Sequence, residues 1–283
     1  MSADDAAFPP SIPTGVPTPA RVYDYLLGGK DNYAVDREFA LSGIPQFPET
    51  LDIARENRHF LYRVVRYLAR DVGIRQFLDM GSGLPTQNNV HEVAQTFQPG
   101  ARVVYVDMDP IVLAHGRALL ADEKTTTVIT ANLTDPETIL QHPDTLRLLD
   151  FNEPVAALFL SVPHSIPDDE QARRPFQALA DTLASGSYLG VSQFSTEDPD
   201  EAEAHSAFVN SLGLTWKTRT PTQIRALVSG WEPAGPGLGD VQHLLPDPGQ
   251  PPLNDVDAPL RPFLGAAHNA GNLVEFGGVL RLP

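Results

Sequence analysis

The chain carries 283 residues, 42 % of them hydrophobic, which suits one large domain with its own core and excludes wholesale disorder. Its formal net charge of −16 repels a polyanion, so nucleic acid is not the expected partner. With no cysteine there is no disulfide framework, no thiolate nucleophile and no Cys-ligated zinc.

Residues 1–19 form a Pro-rich leader. It has two aspartates and neither the basic nor the apolar stretch of a secretion signal. No run approaches the roughly 18 apolar residues of a membrane span, so the expectation is a soluble, cytoplasmic protein. Ala20–Ala40 reads as two short helical pieces broken at Gly28-Gly29. Around the break, Tyr23, Lys30 and Tyr33 mix aromatic and polar groups in the way of a lid over a cofactor or substrate, with a plain packing arm as the alternative. Asp52–Arg70 is amphipathic: Ile53, Phe60, Leu61, Val64, Val65 and Leu68 recur at helical spacing, and Gly73 suits the stop. Its arginines Arg55, Arg58, Arg63, Arg66 and Arg70 are expected to form a solvated face. Residues 20–72 thus read as a helical extension ahead of a domain at 73–283.

Strand and helix signals then alternate. Strands are expected at Gln76–Met80, Arg102–Asp107, Thr125–Ala131, Val155–Val162 and Ser187–Ser195. Helices are expected at Asn88–Thr96, Pro110–Leu120, Pro136–Leu149 and Asp168–Ala184. The strands are nearly continuous apolar runs, such as VVYV and ALFL, as in a parallel sheet buried on both faces. The alternation predicts a doubly wound α/β fold. Farther on, Glu201–Leu212 and a short segment between Thr220-Pro221 and Gly230 read as helices. The run from Pro233 to Pro262 reads as extended or looped, and NLVEFGGVLRL as a final strand with a glycine bulge or bend.

The stretch FLDMGSGLPTQNN sets the ligand question. In such a sheet ligands bind beyond the carboxyl ends of the strands, where Gly81 and Gly83 lie. A dinucleotide fingerprint wants a third glycine where Thr86 stands. Asp79 would oppose a pyrophosphate but welcome a cationic amino group, as in S-adenosylmethionine. Asp107 ends the second strand 26 positions after Gly81, somewhat beyond the usual ~20, where an acid accepts hydrogen bonds from ribose hydroxyls. Met108 can lie against an adenine face, and the amide of Asn132 can donate to and accept from the adenine edge.

This order of Asp79, Gly81, Gly83, Asp107 and Asn132 on successive strand ends resembles class I S-adenosylmethionine-dependent methyltransferases. More narrowly, the chain resembles a bacterial "S-adenosyl methyltransferase" family formerly catalogued as a domain of unknown function. That resemblance rests on PARVYDYLLGGKDNYAVDRE, ENRHFLYRVVRYLA, GIRQFLDMGSGLPTQNNVHEVAQ, ARVVYVDMDPIVLAHGRALL, PHSIPD, LASGSYLGVSQ and FGGVLRLP. It implies a mostly parallel seven-stranded, Rossmann-like sheet with an N-terminal helical extension, and S-adenosylmethionine as cofactor. It implies cofactor roles for Asp79, Gly81, Gly83, Asp107, Met108 and Asn132. Ser82, Leu133 and Ser161 join the cofactor set as their neighbours on the same strand ends. Methyl transfer from a sulfonium is an in-line displacement that benefits from a base past the fourth strand, and His164 is the candidate. The partner is expected to be a small-molecule acceptor. The remaining histidines show no metal spacing, so no metal is expected. Two other readings stand beside this one: a cofactor-binding regulator without turnover, and a nicotinamide-dependent reductase.

Overall fold

Seven strands form one sheet in the computed structural model, which describes residues 14–119, 124–268 and 272–283. The first 13 residues of the expected leader, and the last residue of the expected helix Pro110–Leu120, lie outside the described residues. The strands are β1 (Gln76–Met80), β2 (Arg102–Asp107), β3 (Thr126–Thr130), β4 (Ala156–Leu160), β5 (Tyr188–Ser195), β6 (Glu232–Asp240) and β7 (Val274–Arg281). Their order is β3-β2-β1-β4-β5-β7-β6. The first five strands are parallel, and β7 runs antiparallel between β5 and β6. The chain winds outward from β1 to β3 and then returns to β4 beside β1. This places the topological switch point beyond Met80 and Leu160, where an open α/β sheet leaves a crevice.

Ten helices are described: α1 (Pro19–Leu26), α2 (Ala34–Gly43), α3 (Thr50–Arg66), α4 (Val90–Phe97), α5 (Pro110–Leu119), α6 (Pro136–Leu140), α7 (Pro143–Leu148), α8 (Asp169–Thr182), α9 (Pro199–Ser211) and α10 (Pro221–Leu227). One face of the sheet packs Leu78, Val104 and Phe159 against Phe176 and Leu179 of α8. The other packs Phe77, Val103 and Leu158 against Phe60, Val64 and Leu68 on and just after α3. Every residue of β1 and β4 is buried, which explains their unbroken apolar character. No helix among the described residues is long and apolar enough to cross a membrane.

Four local expectations change. The helix expected over Pro136–Leu149 divides into α6 and α7, because Pro143 lacks an N–H to continue the first and opens the second. The His142 ring caps that second helix by accepting from Asp144 N (3.2 Å). The Pro-rich run contains a strand, β6, whose prolines are tolerated because it lies at the sheet edge. The glycine bulge expected in the tail sits instead in β6, between Ala234 and Leu238. Gly277 and Gly278 stay in register. They are glycine because a Cβ at either would fall 2.0 Å or less from the carbonyl of Val191 or Gly237.

The fourth change concerns the arginines. Arg58 and Arg63 are buried rather than solvated. Arg63 donates from Nε to Leu244 O (3.0 Å) and from Nη2 to Val241 O (2.6 Å), so α3 anchors the turn that follows β6.

The extension is held by one buried ion pair. Arg21 Nε lies 2.9 Å from Asp36 Oδ2, both side chains 0 % exposed, joining α1 to α2. Asp36 also accepts from Thr18 N (3.1 Å) and Tyr33 N (2.8 Å). Replacing Asp36 by Ala removes the carboxylate that balances this buried guanidinium. The expected loss is about 3–5 kcal/mol in chemical denaturation, whereas removing the exposed, solvent-screened pair Arg70–Asp71 should leave stability nearly unchanged.

Candidate functional site

The turn after β1 is fastened to β2 by its own backbone. Gly81 N and Ser82 N both donate to Val106 O, at 2.7 and 3.1 Å. Gly81 (φ 79°) and Gly83 (φ 64°) occupy the left-handed region that favours glycine. A Cβ on Gly81 would meet Val162 Cγ2 at 2.7 Å and Leu133 Cδ1 at 3.3 Å, whereas one on Gly83 would meet nothing within 4 Å. One glycine is therefore required by packing, and the other faces open space.

Asp107 completes the turn. Its Oδ2 accepts from Gly83 N (2.8 Å) and its Oδ1 from Asp109 N (2.9 Å). Burial raises its pKa, and these backbone donors pull it back. Each oxygen keeps acceptor capacity for a further hydroxyl. Beside it Met108 is 66 % exposed, a large apolar side chain uncovered at the switch point. Ala131 N donates to Asp107 O (3.1 Å) and brings the end of β3 alongside. Asn132 is exposed there, its Oδ1 already accepting from Thr134 N and Oγ1, both at 2.9 Å. Only its NH2 is left to donate, which narrows the expected donor-and-acceptor role. Ser161 closes the group from β4 in a left-handed conformation (φ 59°), its N–H directed to Ser192 O (3.0 Å) and Oγ (2.9 Å). Gly81, Ser82, Gly83, Asp107, Met108, Leu133 and Ser161 therefore share one edge.

Asp79 lies beneath that edge, buried on the α3 side. Burial pushes its carboxyl up to about 7, the Arg58 guanidinium pulls it down, and the Asp107 charge adds to the rise. Arg58 is one of the two arginines expected on a solvated face that are buried instead. It donates to Gln87 O from Nε (3.0 Å) and Nη2 (2.5 Å), pinning the loop that follows the glycines. The signal was present in the spacing, because Arg58 falls on the helical stripe of Ala54, Leu61 and Val65. Asp79, Arg58, Ser82, Gly83 and Tyr105 line a cavity of about 20 Å³, room for one water.

The three lid candidates do not converge. Lys30 is exposed and lines a separate cleft of about 280 Å³ with Asp24, Asp31, Arg58, Pro85 and Gln87. Tyr33 packs with Leu84, Ile111 and Val112 behind the glycine turn. Tyr23 reaches α3, donating to Ala54 O (3.0 Å) and accepting from Asn57 Nδ2 (2.9 Å). Glycine is needed at the break between α1 and α2. A Cβ on Gly29 would sit 1.9 Å from Asp24 Oδ1, and Asp24 organises that turn by accepting from Asp31 N and Asn32 Nδ2.

His164 is buried in a wall of rings, stacked on Trp216 (centroids 3.7 Å apart) and edge-on to Phe194. Burial holds its pKa well below the ordinary histidine value, and the Arg219 charge and His205 add to the depression. Its Nδ1 has no hydrogen-bond partner. Fully buried Arg219 shapes this loop, donating to Pro163 O (2.9 Å) and Ile166 O (2.6 Å). Burial therefore favours the neutral form of the imidazole within this packed wall of rings.

The chain matches, over residues 5–283, the family described as S-adenosyl methyltransferase. It belongs to that family. Two solved structures are similar over nearly their whole lengths. A methyltransferase candidate from Thermobifida fusca is 40 % identical, covers 98 % of this chain and 99 % of its own, and superposes with a TM-score of 0.80. A DUF574 family protein from Streptomyces avermitilis is 33 % identical, covers 96 % and 100 %, and also gives 0.80. No curated protein matches. S-adenosylmethionine is the cofactor of the family, and the strand-end residues fit it. Open space lies over Gly83, Asp107 has remaining acceptor capacity, Met108 is uncovered, and Asp79 lacks full compensation by Arg58.

One pH dependence follows for this methyltransferase family member. Asp79 titrates at about 7, and a cation favours its ionised form. Between pH 6 and 7.5 calorimetry should show S-adenosylmethionine affinity rising several-fold with proton release, and Asp79→Asn should flatten that rise.

Proposed function

We propose that the protein transfers a methyl group from S-adenosylmethionine to a small-molecule acceptor, with residues 73–283 holding the cofactor and residues 20–72 covering the acceptor side. The carrying observation is the Asp107 carboxylate, buttressed by the N–H groups of Gly83 and Asp109 beside exposed Met108. In this reading Asp107 accepts from the ribose hydroxyls and Met108 lies on the adenine. The Asn132 amide donates to the adenine edge. Gly81, Ser82 and Gly83 present backbone to the ribose and amino-acid portion, with Leu133 and Ser161 at its flanks and Asp79 supplying negative charge from below. Lys30 stands at the mouth of the cleft beside the loop 85–87.

The cofactor supplies a methyl group already activated by its sulfonium. The chain has only to align an acceptor with it, exclude water and remove a proton where the nucleophile carries one. His164 supports this as part of the ring wall with Trp216 and Phe194, a surface for an apolar acceptor body. Tyr23 and Tyr33 support the covering role of the extension by packing onto α3 and the glycine turn. A nicotinamide-dependent reductase finds no support in the family or at Asp79, and no observation favours binding without turnover.

Calorimetric titration tests the cofactor half. S-adenosylmethionine should bind, and Asp107→Ala should weaken it tenfold or more, about 1.4 kcal/mol. Equal affinity for the variant counts against this site. Incubation with labelled S-adenosylmethionine and pooled metabolites should yield a methylated product, and a protein that binds without ever labelling one is a binder only.

A further inference from the structure

Opposite the cofactor turn, the sheet edge carries an acid for which neither the extension nor the glycine turn has a use. Glu275 lies in the apolar run of β7, whose other charged residue, Arg281, stands at the far, exposed end; it is paired in register with Phe194 of β5. It is 2 % exposed, and neither carboxyl oxygen makes a hydrogen bond. The hydroxyls of Ser192 and Ser161 face it without closing a bond of good geometry. Ser192 is committed elsewhere, donating from Oγ to Asn57 Oδ1 (2.6 Å). Burial pushes the Glu275 carboxyl up to about 8, the two serines lower it, and Asp240 adds to the rise. Among the described residues the Tyr23 hydroxyl of α1 also feels its charge; burial holds that hydroxyl far above its ordinary range, and it shares the field of Arg58.

Leaving a buried carboxyl without partners costs folding free energy, so such a group points to a ligand that supplies them. Its surroundings say which kind. Phe194 lies beside it, with Trp216 edge-on at 5.2 Å and His205 stacked at 5.7 Å behind. A desolvated acid against aromatic rings suits a cation with an apolar body, because a neutral hydroxyl would donate to the carboxylate without balancing its charge and an anion would be repelled. Ser161 connects the two halves of the edge: it is preceded by β4 and followed by Val162, which packs on Gly81.

We propose that Glu275 is the catalytic base of the methyl transfer and that the acceptor is an amine bound as its ammonium ion against Phe194. This rests on the methyltransferase reading above and names its substrate class. The ammonium N–H proton passes to the Glu275 carboxylate, freeing the nitrogen lone pair. That pair forms the new C–N bond as the methyl C–S bond breaks, its electrons remaining on sulfur as a neutral thioether. The methylated nitrogen keeps the positive charge, and the proton on Glu275 leaves to solvent when the product does.

The test uses the full chain saturated with S-adenosylhomocysteine and two isosteric probes, 2-phenylethylamine and 2-phenylethanol, titrated by calorimetry. The amine should bind at least tenfold tighter than the alcohol, and Glu275→Gln should abolish that preference while leaving S-adenosylhomocysteine affinity within twofold. Amine binding to the unsubstituted protein at pH 7, measured in two buffers of different ionisation enthalpy, should release about one proton. This second readout stands even if the variant does not fold. Equal binding of the two probes, no binding of either, a preference that survives Glu275→Gln, or no proton release overturns the assignment. Failure of S-adenosylhomocysteine itself to bind overturns the methyltransferase reading, and this one with it.

Discussion

The site depends on a single carboxylate acting as a backbone clasp. Asp107 ends β2 and takes the N–H groups of Gly83 and Asp109 on its two oxygens. Those donors belong to two turns that have no strand partner to satisfy them, and a buried N–H without an acceptor is expensive. Because Gly81 and Ser82 also donate to Val106 O, the turn after β1 is locked to β2 at both ends. The crevice at the switch point owes its shape to that lock. The residues predicted from the ordered acids and glycines come together because the lock sets where each strand end stops.

A second constraint runs along the α3 side of the sheet edge. Polar groups there are buried between the extension and the strands: Asp79 with Arg58, Asn57 with Ser192 and Tyr23, and Glu275 with no partner. The usual solution for a buried charge is a matched ion pair, as Arg21 and Asp36 show in the same extension. At the sheet edge the matching is incomplete, with acids pushed up to about 7 and about 8. Incomplete compensation destabilises the empty fold and favours cationic groups brought from outside. A cofactor bearing an ammonium and a sulfonium is one such group. An amine acceptor is a second.

The sequence carried much of this. Apolar runs located β1, β2 and β4 to within a residue or two, because strands buried on both faces leave no room for alternation. The cofactor edge was legible because its determinants are local: a glycine turn, an acid closing the next strand, a methionine after it. Other features were hidden. The edge strand β6 has a composition that suits a loop, and only its pairing with β7 makes it a strand. Arg58 and Arg63 sit on a helix whose charges looked solvated until loops from residues 87 and 241–244 covered them. The surroundings of His164 were equally hidden, since Trp216, which stacks on it, lies 52 positions later.

By itself, then, the sequence determined the succession of the five parallel strands, the family and the cofactor-facing turn, since each is written in contiguous residues whose spacing has a local physical meaning. Tertiary structure alone decided which charges are buried and what they face. Desolvation depends on neighbours brought from far along the chain. Glu275 reads as one acid in an apolar tail, and becomes chemically distinct only when it is buried beside Phe194 and Ser192.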